Sequence, residues 1–318
     1  MALSHDDLWP RAGDWPALDA LDGEIDLALV GVPTWRTSLS PTGAHATPAA
    51  VRAALRRYSP ALMTGPVDLG WLRVADAGDI AEPDGPDGGA AVRQLAGEAG
   101  ARARLVVALG GDNSATYAVA QGTGAAGLIT LDAHFDLRDG ISNGSPVRRL
   151  IEDGLDPRRV VQIGIADFAN SAVYARRAAD YGITVIDVDE LRRRGTGDVM
   201  AEALEVAGSG AGGIHLDIDV DVCDRSVAPG CPASVPGGLA AWELRALVRA
   251  AASDSRLGSA DIVEVDATAD AADERTVRLA ALCVLELLAG VSTRSGTSTR
   301  TGTSTSAGTS TSTGEGKS

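Results

Sequence analysis

Several features are scarce in this 318-residue sequence, and each absence excludes a class of protein. Only Cys223, Cys231 and Cys283 occur, and an odd count without regular spacing fits a reducing compartment better than a disulfide framework. The absence of a Cys-x-x-Cys motif or a Cys/His cluster argues against zinc. The N-terminus has neither a basic region nor an apolar run, and no stretch approaches the roughly 20 apolar residues that cross a bilayer. We therefore expect a cytoplasmic protein with no membrane partner.

Basic residues are also fewer than acidic residues. There are 28 Lys and Arg residues against 43 Asp and Glu residues, which gives a formal net charge of −15. Nucleic acids and anionic membranes both require a basic face, so neither is an expected partner. With 45% hydrophobic residues the chain can bury a large core, and we expect a single domain over residues 1–290. Residues 291–318 are almost entirely Ser, Thr and Gly, which predicts a disordered tail.

Short apolar runs alternate with helical patterns along most of the chain. The expected strands are 25–33, 73–76, 105–109, 128–131, 160–165, 184–187, 213–222 and 262–265. The expected helices are 47–56, 90–102, 115–120, 147–152, 171–181, 199–207, 242–251 and 274–288. Strands that alternate with helices require crossover connections, so the pattern predicts a three-layer α/β/α fold with a central, mostly parallel sheet.

The first polar cluster follows the apolar strand at 127–131. Asp132, His134 and Asp136 then occupy alternating positions, and an extended backbone would direct all three side chains to one side. Two carboxylates and an imidazole that converge are typical of a metal site. The alternative is a polar strand end with solvated acids.

Three other predicted strands end in the same way. Residues 213–222 carry Asp217, Asp219 and Asp221 at alternating positions, and such a row would repel itself if buried, unless a divalent cation were bound. The strand at 105–109 leads into the Gly-Gly-Asp-Asn-Ser segment 110–114, and the strand at 261–266 contains Glu264. Sites in open parallel sheets form beyond the carboxyl ends of the strands, so these four ends predict one crevice.

Together these segments resemble a known family. Residues 110–114, 132–136, 219–221 with 229–230 and 236–239, and 264–265 are similar, in order and approximate spacing, to the signature segments of the ureohydrolases. That family includes arginase, agmatinase and formimidoylglutamase, which hydrolyse amidino groups with a pair of manganese ions. The resemblance extends over about residues 25–290. It implies an arginase-like fold, a small-molecule amidine substrate, two Mn²⁺ ions per subunit and a homo-oligomer.

The resemblance also implies six metal ligands: Asn113, Asp132, His134, Asp136, Asp219 and Asp221. Asp132 and Asp219 would bridge the two metals, and a hydroxide held between the metals would attack the amidine carbon. The alternative register would use Asp217 and Asp219 in place of Asp219 and Asp221. Four carboxylates balance the charge of two dications, and carboxylate oxygens with imidazole suit manganese.

The remaining implied roles concern the substrate. Glu264, which with Asp136 forms the catalytic pair, would hold the cationic amidino group; the alternative is an exposed acid at a strand end. Arg138 would bind a substrate carboxylate through its guanidinium group, or else would form an ion pair with Asp139. The further residues that the resemblance places around the substrate are Asn143, Ser145 and Asp167.

Two departures from the family pattern narrow the function. Asn113 stands where the family usually has histidine, so one metal should be held less tightly. Asn143 stands where arginases and agmatinases carry a histidine thought to shuttle protons. Both departures, with segments 132–138 and 164–171, resemble the formimidoylglutamase branch and imply hydrolysis of N-formimidoyl-L-glutamate to L-glutamate and formamide in histidine breakdown. The alternatives are another ureohydrolase, namely an agmatinase, a guanidino-acid hydrolase or an arginase, and a metal-poor, non-catalytic relative.

Overall fold

The strands of the protein form one large sheet and one small hairpin. A computed structural model describes residues 6–64 and 67–294. The strands are β1 (Leu27–Val32), β2 (Ala61–Leu62), β3 (Val67–Asp68), β4 (Val74–Asp79), β5 (Val106–Gly110), β6 (Ala125–Leu131), β7 (Val160–Ile165), β8 (Thr184–Asp187), β9 (Gly213–Asp219) and β10 (Leu257–Val263). Eight of them pair in parallel in the order β4-β1-β5-β10-β9-β6-β7-β8, while β2 and β3 form a separate antiparallel pair.

Helices cover both faces of the sheet. They are α1 (Thr47–Leu55), α2 (Gly88–Gly100), α3 (Ser114–Gly122), α4 (Pro146–Glu152), α5 (Ala172–Tyr181), α6 (Val188–Arg194), α7 (Thr196–Ala207), α8 (Ala241–Ser253) and α9 (Arg275–Val291). Helices α2 to α5 share hydrophobic cores with one face of the sheet, where Val30 and Leu128 lie. Helix α1 and helices α6 to α9 pack on the other face with Leu29 and Ile129. The predicted three-layer α/β/α fold is confirmed.

The strand sequences are explained by burial on both faces. Every residue of β1, β5 and β7 is buried. Their sequences are therefore apolar almost throughout and do not alternate with polar residues, and the one polar residue, Gln162 of β7, donates to the Phe135 carbonyl. Two helical details differ from the sequence expectation. Helix α6 was not predicted and is separated from α7 by Gly195, whose φ of +88° ends the first helix. The predicted helix at 47–56 ends one residue earlier, at Leu55, and the hydroxyl of its first residue, Thr47, donates to the Val265 carbonyl.

The C-terminal end of the described chain continues past the expected boundary at residue 290. Helix α9 ends at Val291, and Arg294 is buried, with its Nε donating to the Ala252 carbonyl at 2.8 Å. Val291 and Arg294, which belong to the predicted tail 291–318, are therefore packed against the domain, and residues 295–318 lie outside the described residues. In the described part of the chain, no helix has the length and apolar character to span a membrane.

Candidate metal centre

The four strands whose ends carry acids and amides are neighbours in the middle of the sheet. Their spatial order is β5-β10-β9-β6, and all four run in the same direction. Their carboxyl ends therefore lie side by side, as expected for a ligand crevice in an open parallel sheet. The candidate ligands and Glu264 come from these strand ends and the segments after them: Asn113 follows β5, Asp132, His134 and Asp136 follow β6, Asp219 ends β9 with Asp221 after it, and Glu264 follows β10. Arg138 and Asn143 lie further along the loop after β6.

Asp132, His134 and Asp221 form a compact group at this edge. His134 Nδ1 lies 2.8 Å from Asp221 Oδ2 and 3.5 Å from Asp132 Oδ1. Each of the three residues offers one possible metal-ligand atom, and these atoms all lie within 4.8 Å of one another. Asp132 is fully buried, and its Oδ2 accepts no hydrogen bond from any described residue. A buried carboxylate oxygen without a donor is costly, and a bound cation would compensate it.

The charges of this group perturb the pKa values of its members. Burial, with the neighbouring Asp221, raises the pKa of Asp132 to about 7. Burial opposes protonation of His134, but the Asp221 and Asp132 carboxylates outweigh it and raise the pKa of the imidazole to about 12. The pKa of Asp221 is lowered despite its burial because His134 lies beside it. Without a cation, the positive charge of protonated His134 compensates part of the negative charge of Asp132 and Asp221.

Asp136 and Asp219 form a second group around the side chain of Asn113. Asn113 Nδ2 donates to Asp136 Oδ2 at 2.6 Å and to Asp219 Oδ2 at 3.2 Å. Asn113 Oδ1 points the other way and accepts a 2.5 Å hydrogen bond from Thr116 Oγ1. Burial raises the pKa values of both Asp136 and Asp219 well above the usual range, with like charges nearby adding to the shift. The amide hydrogens thus occupy the position between two carboxylates that a cation would take.

The backbone geometry that brings these residues together differs from the expectation. Strand β6 ends at Leu131, before the cluster, and Asp136 has a φ of +52°, so the segment is not extended. Strand β9 likewise ends at Asp219. Asp221 lies in the 3₁₀ turn that follows, and its backbone N–H donates a hydrogen bond to Asp219 Oδ1 at 2.8 Å. The side chains converge because loops fold over adjacent strand ends, and the expected alternation along an extended backbone is wrong for Asp136 and Asp221.

Asp217 lies deeper in the sheet than the residues of the two groups. It is aligned with Thr130 on β6 and with Asp261 on β10, and both of its carboxylate oxygens are buried without a hydrogen-bond donor among the described residues. Burial and the Asp261 charge raise its pKa well above the usual range. The geometry therefore assembles Asp221, and not Asp217, with His134 and Asp132.

Glu264 follows β10 and is almost fully buried, in contrast to an exposed strand-end acid. Its backbone has a φ of +60°, and its amide donates to the Gly111 carbonyl at 2.8 Å. Its Oε1 accepts hydrogen bonds of 2.8 Å from Asn113 N and from Asn143 Nδ2. Burial raises the pKa of Glu264 to about 8, although these two donors favour the charged form.

An open pocket of about 810 Å³, mouth included, lies over the two groups. Its lining includes His134, Asp136, Arg138, Asn143, Asp219, Asp221 and Glu264, with Leu39, Ser40 and residues 169–171 on the rim. Arg138 is exposed, and its guanidinium makes no hydrogen bond or ion pair with another described residue. The ion pair considered for it does not form, because Asp139 pairs with Arg177 at 2.8 Å.

Two residues expected near the substrate are not brought to this pocket. Ser145 is fully buried, and its hydroxyl is used within the turn, accepting from Ser142 N and donating to Ser142 O. Asp167 is exposed and does not line the pocket. Conversely, Thr116 was missed, although its position three residues after Asn113 at the start of a helix places it on the same face. Leu39 was also missed, because it lies in a loop far away in sequence.

The residues present fit a pair of divalent cations of the hard, oxygen-preferring kind. Asp132, His134 and Asp221 offer two carboxylates and an imidazole with no rearrangement of the chain. Asp136 and Asp219 could serve a second ion once the Asn113 amide turns its oxygen toward them. The Thr116 hydroxyl can accept as well as donate a hydrogen bond, so it can bond to the amide in either orientation.

Comparison with known proteins is consistent with this geometry. The model of the arginase family matches residues 25–290. A formimidoylglutamase of Halobacterium salinarum is 38% identical over 282 residues, covering 84% of this chain and 88% of the relative. A formimidoylglutamase of Halalkalibacterium halodurans is 35% identical over 291 residues, with the same shares covered. The crystal structure of Bacillus subtilis formimidoylglutamase superposes with a TM-score of 0.84 at 31% identity, covering 92% of this chain and 95% of that one.

Proposed function

The chain belongs to the arginase family, and from that membership we propose that it hydrolyses N-formimidoyl-L-glutamate to L-glutamate and formamide. Its class is that of a hydrolase acting on amidines. In the proposed reaction, water adds to the amidine carbon and the bond from that carbon to the glutamate nitrogen breaks. The glutamate nitrogen keeps its own hydrogen, gains the protons of the added water and leaves as the amino group of L-glutamate, while the carbon leaves with the water oxygen as formamide.

Two Mn²⁺ ions are the proposed cofactor. The donor set of carboxylates and one imidazole supports this choice, because manganese favours hard oxygen ligands and accepts imidazole. Asp132, His134 and Asp221 would hold one ion, and Asn113, Asp136 and Asp219 the other, with Asp132 and Asp219 shared. Divalent ions at such a site supply the Lewis acidity that lowers the pKa of water toward neutrality.

Glu264 is the residue proposed to orient the amidino group. Both of its hydrogen bonds described above end on Oε1, which leaves Oε2 for a ligand in the pocket that it lines. A protonated amidine carries its positive charge over two nitrogens, and a carboxylate can accept a charge-assisted hydrogen bond from one of their N–H groups. Fixing that group in one orientation contributes to rate by restricting the reacting carbon to the productive geometry.

The choice of formimidoylglutamate within the family is carried by Arg138. Its unpaired guanidinium shares a pocket with Glu264 and with the candidate metal ligands. A guanidinium can bind a carboxylate through two parallel hydrogen bonds, and formimidoylglutamate has two carboxylates whereas agmatine has none. A guanidino-acid hydrolase would also use such a residue, so this activity is the second candidate.

The proposal also covers the cellular setting of the enzyme. Three buried, unpaired cysteines suit the reducing cytoplasm. A single catalytic domain over residues 1–290, a homo-oligomer and a role in histidine breakdown complete the proposal. It is tested by removing metal with a chelator, adding back Mn²⁺, and measuring release of L-glutamate from formimidoylglutamate. Release should require the added ion, and full activity in protein shown to be metal-free would overturn the proposed cofactor.

A further inference from the structure

Asn143 connects the rim of the pocket to Glu264 through both ends of its side-chain amide. Its Oδ1 accepts a hydrogen bond from Leu39 N at 3.0 Å, and its Nδ2 donates to Glu264 Oε1 at 2.8 Å. Its backbone N–H also donates to the Thr37 carbonyl at 3.3 Å. One acceptor and one donor position of the amide are thus used by the protein, and together they hold the side chain in a single orientation.

The carboxylate of Glu264 depends on donors from two different segments. One is the backbone N–H of Asn113, which follows β5, and the other is the Asn143 amide. The backbone of Glu264 has a φ of +60°, a conformation that is uncommon for residues other than glycine. Both side-chain hydrogen bonds come from outside strand β10, and the Asn143 amide is the only donor among the described residues that comes from the loop after β6.

The segment that Asn143 holds on its other side forms a wall of the pocket. Leu39 and Ser40 line the pocket together with Arg138, and Leu39 is 56% exposed. Gly144 lies close to both Arg138 and Leu39. A Cβ atom at Gly144 would lie 2.7 Å from Arg138 Cδ and 3.3 Å from Leu39 Cδ1, so the glycine leaves space for both side chains. The part of the substrate beyond the amidino group, which is called the tail below, would lie near the wall at residues 37–40 if Arg138 binds it.

We propose that Asn143 is a positioning residue, which links the 37–40 wall to the orientation of Glu264. This inference rests on the proposed role of Glu264 in holding the amidino group. Contacts between the substrate tail and the wall would stabilise Leu39, and through the Asn143 amide they would stabilise the Glu264 carboxylate in its productive orientation. Binding energy from the non-reacting end of the substrate is thereby used at the reacting end, which raises kcat and not only affinity.

A simpler role for Asn143 would be to anchor the 37–40 segment without influencing Glu264. Two substitutions separate these roles. Asn143→Asp is nearly isosteric and keeps an acceptor for Leu39 N, but it loses the donor to Glu264 and places a second carboxylate beside it. Asn143→Ala loses both hydrogen bonds and adds no charge. A positioning residue predicts the greater loss of kcat for Asn143→Asp, whereas a simple anchor predicts the greater loss for Asn143→Ala.

The experiment measures kcat and KM separately for the Mn²⁺-loaded wild type and the two variants. We expect Asn143→Asp to lower kcat about a hundredfold, the scale of a reacting group displaced by about 1 Å, with KM changed by less than about threefold. Asn143→Ala should lose less. Unchanged Mn²⁺ affinity and unfolding temperature in both variants show that neither the metal centre nor the fold has been lost. A larger kcat loss for Asn143→Ala, or a loss confined to KM, would overturn the proposal.

A substrate that has the amidino group but no tail tests whether Asn143 links the 37–40 wall to Glu264. Formamidine carries the reacting group but cannot contact Leu39 or Arg138, so Asn143→Ala should slow its hydrolysis by a smaller factor than that of the full substrate. Equal factors for both would overturn the link. These ratios are measured on whichever amidine the wild type hydrolyses best, so an incorrect substrate assignment does not conceal them. If Glu264→Gln leaves kcat unchanged, the proposed function of Glu264 fails independently of Asn143.

Discussion

Asn113 Nδ2 lies 2.6 Å from Asp136 Oδ2, so an amide hydrogen occupies the position where a cation would bind that carboxylate. A second ion must turn this amide around before it can be bound, and the ligand then gained is a neutral oxygen. The ion near His134 must displace the proton of that imidazole, but the ligand atoms of Asp132, His134 and Asp221 already face one another and no side chain has to turn. Two cations at this centre should therefore bind with unequal affinity.

The first prediction concerns this inequality. Asn113→His supplies an imidazole in place of the amide, so the weaker of two Mn²⁺ affinities should rise by at least about tenfold, or about 1.4 kcal/mol, while the tighter one changes little. Calorimetric titration of metal-free protein, with electron paramagnetic resonance to count bound ions, measures both. Two equal and tight sites in the natural protein, unaffected by the substitution, would contradict the prediction.

The second prediction concerns the stability of metal-free protein against pH. Folding raises the pKa of Asp132 from 3.8 to about 7, of Glu264 from 4.5 to about 8 and of His134 from 6.5 to about 12. Each group binds protons more tightly when folded, so stability falls as pH rises between the two values of each pKa. The lowered pKa of Asp221 acts in the opposite direction, but only at more acidic pH.

Thermal unfolding in chelator should therefore show a midpoint that decreases by roughly 3 °C or more between pH 5.5 and pH 8.5. Saturating Mn²⁺ should remove most of this decrease, because the ions replace the protons as the neutralising charge. A midpoint in chelator that is flat or rises over this range would show that the acids are not coupled as the structure places them.

The third prediction distinguishes the two possible ligand registers. Asp217→Asn removes a buried carboxylate that has no hydrogen-bond donor among the described residues and that lies beside Asp261. Because folding then requires no proton uptake at this position, the unfolding midpoint at pH 8 should rise, and Mn²⁺ affinity should stay within about threefold of wild type. The matched substitution Asp221→Asn should weaken Mn²⁺ binding strongly. Loss of Mn²⁺ binding on Asp217→Asn would instead favour the register of Asp217 and Asp219.

The fourth prediction concerns Arg138. Arg138→Ala should lower kcat/KM for formimidoylglutamate by at least about 30-fold, or about 2 kcal/mol, through loss of a charge-assisted contact with a substrate carboxylate. Formamidine, which lacks that carboxylate, should be slowed much less. Arg158→Ala is a suitable control, because Arg158 pairs with Asp156 ahead of β7, at the opposite end of the sheet. Equal losses for both substrates would remove Arg138 from substrate binding.

The fold was predictable from the sequence because burial on both faces leaves a clear signal. Strands such as β7 and β8 have the predicted limits, and the helices between them follow from ordinary helical patterns. Helix α6 was missed because it is only seven residues long, follows β8 without an intervening loop and ends at Gly195 before α7 begins. The two-residue strands β2 and β3 are too short to produce any periodic pattern.

Many of the residues at the candidate site could be predicted from the sequence, but Ser145 and Asp167 do not line the pocket, and the geometry of the site could not be predicted. The positions of Asp132, Asp219 and Glu264 follow from their place at the ends of strands that prove to be neighbours. The orientation of the Asn113 amide depends on the Thr116 hydroxyl, and the role of Asn143 depends on a backbone N–H more than a hundred residues away at Leu39. Such contacts are set by loop conformations, which leave no regular pattern in the sequence.

The most direct test of the account is a comparison of kcat/KM for N-formimidoyl-L-glutamate and agmatine with the same Mn²⁺-loaded protein. The proposed pocket, with Glu264 for the amidino group and Arg138 for a carboxylate, predicts a preference for formimidoylglutamate of at least about a hundredfold, since each lost charge-assisted contact costs about 2 kcal/mol or more. A preference for agmatine, or equal values for the two, would contradict the account and leave only the assignment to the arginase family.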